Sequence, residues 1–181
     1  MPYLEELIAQ IKDREKWPDF DRSDFLMELN EIADDAYAKH TVEGYLAALL
    51  VYHQLIEESL RLVLRWCEFL MQLELAPMEY HIKLPKKAMF GQIVEEVRKT
   101  IDFEHRDELV TLAEKVNTER IQLVHKLTKH ESIESLSARA KEIKNLFDDY
   151  FFKFDDVRDW FMLVFKDLRK DGEWDELIES E

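Results

Sequence analysis

The chain has 181 residues, which suits one domain able to bury roughly 70% of the surface its unfolded state exposes, so folding requires neither a disulfide nor a metal. With 46% apolar and 36% charged residues it fits neither a disordered nor a membrane-embedded class, and a single cysteine excludes an internal disulfide and a cysteine-rich zinc site. The formal net charge of −15 argues against general nucleic-acid binding. That charge is uneven. The tail 171–181 carries six acids and no base, whereas Tyr80–His130 holds ten lysines and arginines against eight acids. The same local excess reads equally as ordinary surface charge or as a basic area able to accept a phosphate backbone.

Taken in order, the chain opens with M-P-Y-L-E-E-L, which lacks the basic and apolar regions of a secretory signal. Residues 2–16 read as a short helix ended by Trp17-Pro18. Asp21 or Ser23 caps a second helix to about Lys39, with Phe25, Leu26, Leu29, Ile32, Ala33 and Ala36 on one side. Thr41 caps a third, with Glu43 in its first turn, and this helix runs to about Leu73. Its apolar positions span most of its circumference, which predicts a central place in a bundle. Within it, Cys67 lies among Leu62, Val63, Leu64 and Leu70 and reads as a buried thiol. Pro77 and Pro85 bracket a loop over 74–87, and a short helix follows near Ala88–Thr100. A helix is predicted over Arg106–Lys129, and a last one from Ser132 to about Lys170, with a break near Phe147–Asp156. No repeat, no alternating stretch that demands a strand and no run near the ~20 apolar residues of a membrane span is present. The expectation is an all-α, up-and-down helical bundle, soluble and cytoplasmic.

The run V-N-T-E-R-I-Q-L-V-H-K (Val116–Lys126) departs from ordinary bundle sequence. At ~100° per residue, Leu109, Leu112, Val116, Leu123 and Leu127 fall within about 60° of arc. Arg120 sits only ~40° from Val116, where a leucine is expected. His125 lies ~140° from Arg120, so one helix cannot aim both groups squarely at one target. They converge at the rim of a groove, or against a second copy of the same helix. The competing structural reading pairs Arg120 with Glu58 or another acid and leaves His125 simply exposed.

The same segment resembles the HEPN superfamily of helical bundles, whose signature is Arg-x4–6-His late in a core helix. The long helix V-Y-H-Q-L-I-E-E-S-L-R-L-V-L and the segment M-F-G-Q-I-V-E-E-V around Gly91 are similar to the family's leucine-rich early helix and its F-G-x-I turn. The order of elements also matches over about 41–170. The resemblance implies a four-helix core at 41–170, an N-terminal helical extension at 1–40 and an acidic tail at 171–181. It further implies a metal-independent endoribonuclease of the toxin or defence type that works as a homodimer. Arg120 would bind the scissile phosphate and His125 would act as general acid or base, leaving a 2′,3′-cyclic phosphate and a 5′-hydroxyl. Lys126, Lys129 and Asn117 would contact the RNA. One departure from the family pattern is Ile121, where many active members carry a polar residue after the arginine. Other members serve as non-catalytic binding modules.

Weaker constellations are His53 with Glu57, and Asp102, His105 and Glu108, each at helical spacing. No Glu-x-x-His occurs, so a bundle di-metal site is not expected, and neither a metal nor a cofactor is called for. The aromatic run Tyr150, Phe151, Phe152, Phe154, Trp160, Phe161 and Phe165 suggests a stacking platform, but its aspartates repel phosphate, so core or interface packing is expected. Two readings stay open at this point. One is the dimeric endoribonuclease acting on RNA through Arg120 and His125. The other is a helical interaction module that binds an antitoxin or regulatory protein and buries or neutralises Arg120.

Overall fold

The structure is a computed structural model that describes Ala9, Asp13, Trp17, Pro18 and residues 24–75, 78, 80–85, 87–125 and 133–168. Its regular elements are α1 (Asp24–Ala38), α2 (Val42–Leu75), α3 (Phe90–Lys99), α4 (Arg106–His125) and α5 (Ile133–Leu168), with no strand among the described residues. The all-α bundle expected from the periodicity is therefore present.

Local chemistry explains the starts. Thr41 Oγ1 accepts from Gly44 N–H at 3.1 Å, which caps α2 as its sequence predicts. Gly44 is required for a different reason. A Cβ there would lie 2.3 Å from the Ala36 carbonyl oxygen, so α1 and α2 cross backbone against side-chain-free backbone. At α3 the Gln92 side chain accepts from Met89 N–H at 2.8 Å, the reciprocal half of a capping box. Gly91, by contrast, meets nothing within 4 Å of a Cβ position.

α2 packs against every other helix, which fits its broad apolar circumference. Residue pairings give the directions. Tyr45 meets Ser137, Tyr52 stacks on Phe147, Ser59 meets Tyr150 and Phe69 meets Phe165, so α2 and α5 run parallel. Glu119 meets Arg139 and Glu108 meets Lys153, so α4 runs antiparallel to α5. The short turn after Ala38 returns α1 along α2, and Asp34 accepts from Tyr52 and pairs with Lys144 of α5. α1, α2, α4 and α5 thus alternate in direction, and α3 packs between α2 and α4. Trp17 and Ala33, from the segment expected as an N-terminal extension, lie in the same buried cluster as the rest.

One expectation needs correction. α5 runs unbroken from Ile133 to Leu168, with no break near Phe147–Asp156. That helix contains neither glycine nor proline, and Phe147, Tyr150, Phe154, Val157 and Phe161 keep one helical face buried throughout. The aromatic run divides between core and surface. Tyr150, Phe154, Phe161 and Phe165 are buried, whereas Phe152 is 71% exposed. Cys67 is buried, and burial pushes its thiol up to about 12. Within the helix expected over 2–16 only Ala9 and Asp13 are described, and the helix ends expected at 126–129 and 169–170, the caps Asp21 and Ser23, and the acidic tail lie outside the described residues.

Candidate functional site

α4 supplies the candidate pair. Its core stripe buries Leu109, Val110, Ala113, Val116 and Leu123, and Arg120 lies on that stripe between Val116 and Leu123. Arg120 is half-buried there, and its Nη2 donates to Asn117 Oδ1 at 3.4 Å. The same Oδ1 lies 3.2 Å from His53 Nε2 of α2. His53 is only 5% exposed, and its ring lies against Phe90 with centroids 4.6 Å apart. Three polar side chains from two helices therefore meet around one amide oxygen.

Electrostatics at this point are one-sided. Burial and then the Arg120 charge push the His53 pKa down, against smaller opposing effects from the Asn117 hydrogen bond and Glu57. The ring is neutral at neutral pH. Arg120 itself has no counter-ion among the described residues. Arg61, Arg65, Arg98, Arg106, Arg139 and Arg158 each have a carboxylate within 4.0 Å, and Arg120 is the described arginine that has none. The pairing with Glu58 considered from sequence does not form, because Glu58 pairs with Arg65 at 2.9 Å. Arg120 Nε is buried without a partner, as is His53 Nδ1.

A clamp holds this part of α4 to α5. Arg139 Nη2 donates to Gln122 Oε1 at 2.8 Å and lies 2.7 Å from Glu119 Oε2. Its hydrogen bond goes to Gln122, which leaves Glu119 Oε2 in close ionic contact yet off the hydrogen-bond direction. Arg139 Nη1 also bonds Glu142 at 3.0 Å. The backbone that presents Arg120 is accordingly braced from two sides.

The other predicted site residues are placed differently. His125 is exposed, and among the described residues no hydrogen bond or ion pair joins it to Arg120. Asn117 is half-buried and serves as the bridge to His53. Lys126 and Lys129 lie outside the described residues. Ile121 and Val124 are 39% and 53% exposed on the arc between Arg120 and His125. Three of the ten basic residues that gave 80–130 its local positive excess are paired with acids. Arg98 pairs with Glu95 and Glu114, Lys99 with Glu95, and Arg106 with Asp102 and Asp107.

The remaining constellations go elsewhere. Glu57 pairs with Arg61, and Glu108 contacts both His105 and Lys153. A groove of about 410 Å³ along α4, lined by Asp107, Glu108, Thr111, Leu112, Lys115 and Lys153, lies towards the other end of the helix from Arg120. The sequence reading missed His53 as a site residue. Its position one turn from Leu49 and Ile56 and two turns from Leu60, all buried, marks it as a polar group on the core face of α2. Set against known proteins, the chain matches no family model, no curated protein and no solved structure.

Proposed function

We propose that this chain is a metal-independent endoribonuclease that works as a homodimer, with Arg120 on the scissile phosphate and His125 as the proton-transfer group. The observation that carries this reading is Arg120, a half-buried guanidinium on a core stripe with no carboxylate beside it among the described residues. Taking such a charge out of bulk water without a counter-ion is costly, and a bound oxyanion offsets that cost with charge-assisted hydrogen bonds. A phosphodiester supplies the missing charge in the planar geometry a guanidinium prefers.

His125 is exposed and free to meet a ribose hydroxyl or a leaving oxygen. The ~140° between the two positions on one helix is resolved if Arg120 of one protomer works beside His125 of its partner. The exposed Ile121 and Val124, which lie between them, suit burial against a second α4. One imidazole takes the 2′-hydroxyl proton as that oxygen attacks phosphorus, and an imidazolium returns a proton to the departing 5′-oxygen. Cyclic phosphate and a 5′-hydroxyl result, with no metal required. Lys126 and Lys129 follow His125 in sequence and would track the backbone. This reading keeps the toxin or defence role and the cytoplasmic setting that the HEPN resemblance implies. Among the described residues no helix is long and apolar enough to cross a membrane.

A second reading has its own observation. Phe152 and Leu163 are 71% and 55% exposed, and eleven residues place them on one face of α5, beside the 45% exposed Met162. On an acidic body that face fits an interaction module holding a regulatory or antitoxin-like protein. Purified protein incubated with mixed RNA in EDTA separates the two. Cleavage to cyclic phosphate ends, reduced at least about a hundredfold in both Arg120→Ala and His125→Ala with helicity retained, is the expected outcome. Equal inertness of wild type and variants favours the interaction module.

A further inference from the structure

The Asn117 amide fixes the tautomer of the histidine it touches. A guanidinium can only donate, so the Asn117 atom 3.4 Å from Arg120 Nη2 is the carbonyl oxygen. That same oxygen must accept from His53 Nε2 at 3.2 Å. In the neutral ring the hydrogen therefore sits on Nε2, and Nδ1 carries a lone pair. This Nδ1 is buried and has no donor facing it. The amide oxygen thus joins an imidazole whose far nitrogen is vacant to a guanidinium with no carboxylate beside it among the described residues.

We propose that His53, Asn117 and Arg120 form a proton-linked oxyanion receptor at the seam of α2 and α4, in which a phosphodiester held by Arg120 is matched by a proton taken from solvent onto His53 Nδ1. The proposal rests on the assignment of Arg120 to phosphate and deepens it. His53 is a positioning residue here, since it acts through Asn117 and Arg120 and does not touch the reacting atoms.

The charges around the ring set the coupling. From α4, Arg120 opposes protonation, and from α2, Glu57 favours it while pairing with Arg61. From α3, the residue against the ring is the uncharged Phe90. A bound anion cancels much of the Arg120 charge and removes the main electrostatic obstacle to the proton. Linkage is reciprocal, so the proton strengthens anion binding by the same factor. Protonated His53 keeps its Nε2 donor to Asn117, and the amide bridge survives the change.

The probe is a short fluorescent oligodeoxynucleotide, because its diesters keep one charge each across the pH range and it lacks the 2′-hydroxyl needed for cleavage. For the intact protein, affinity is expected to fall about tenfold between about pH 5 and about pH 8. His53→Gln still donates to Asn117 but cannot take a proton, and its dependence should shrink to about threefold or less. In case that variant folds poorly, imidazole NMR on the wild type gives an independent reading. The His53 midpoint should rise when the oligodeoxynucleotide binds, and should also rise in ligand-free Arg120→Ala. Undetectable binding, equal pH dependence in both proteins or an unmoved midpoint overturns the receptor. RNA cleavage without this linkage sinks the receptor alone, and linkage without RNA cleavage sinks the nuclease alone.

Discussion

In the folded chain His53 resists a proton that the unfolded chain accepts, and this has a consequence for stability. Burial and the Arg120 charge hold its folded pKa below the ordinary histidine value of about 6.5. As pH falls below that value the unfolded state binds more protons than the folded one. Stability present above about pH 6.5 is therefore lost progressively as pH falls towards the depressed folded value. Urea unfolding between about pH 7 and about pH 5 should show a shallower loss in His53→Gln than in wild type, and identical slopes would contradict the neutral-ring assignment. The buried hydroxyls of Ser59 and Tyr150 satisfy each other. Ser59 Oγ donates to Ile56 O at 2.9 Å, so the Tyr150 hydroxyl must donate to Ser59 at 2.6 Å. Arg120 was legible in the sequence because a charge interrupts an apolar stripe. His53 was not, because its meaning depends on which residue of another helix lies opposite.

Two glycines make opposite predictions at the level of the helices. Gly44 sits where α1 and α2 approach, and Gly44→Ala forces a methyl against the Ala36 carbonyl. The expected cost is about 1–3 kcal/mol, read as a lowered urea midpoint. Gly91 opens α3 with free space around it, so Gly91→Ala should be neutral or stabilise by up to about 1 kcal/mol. A large loss at Gly91 would mean that the F-G-x-I segment meets something other than solvent. Helix existence and order were readable from the 3.6-residue period, since long apolar stripes identify themselves. The interruption considered in α5 does not form, although the segment is dense in aspartates and aromatics. Those aspartates face outward or pair with Lys144, Lys153 and Arg158, while the aromatics stay on the buried face.

For the whole molecule, a net charge of −15 sets the problem that the proposed nuclease reading must solve. Most described cations are already paired, so long-range attraction of RNA is weak and the site must work at short range. On the proposed reading, a second copy of α4 supplies that concentration of function. Ile121→Asp with Val124→Asp should weaken self-association by about 2 kcal/mol, roughly thirtyfold, in sedimentation equilibrium, with RNA cleavage lost in parallel. An unchanged dimer would remove this face from the interface.

The sequence by itself determined the all-α class, the long central α2, its Thr41 cap, the buried Cys67 and the anomaly at Arg120. Each of these follows from local chemistry or from a period along one helix. Only the tertiary structure decided that Glu58 belongs to Arg65, that α5 is continuous, and that Arg120 shares an amide oxygen with His53. These depend on which faces meet across helices. Side-chain partners separated by 64 residues are set by packing and leave no periodic trace in the chain.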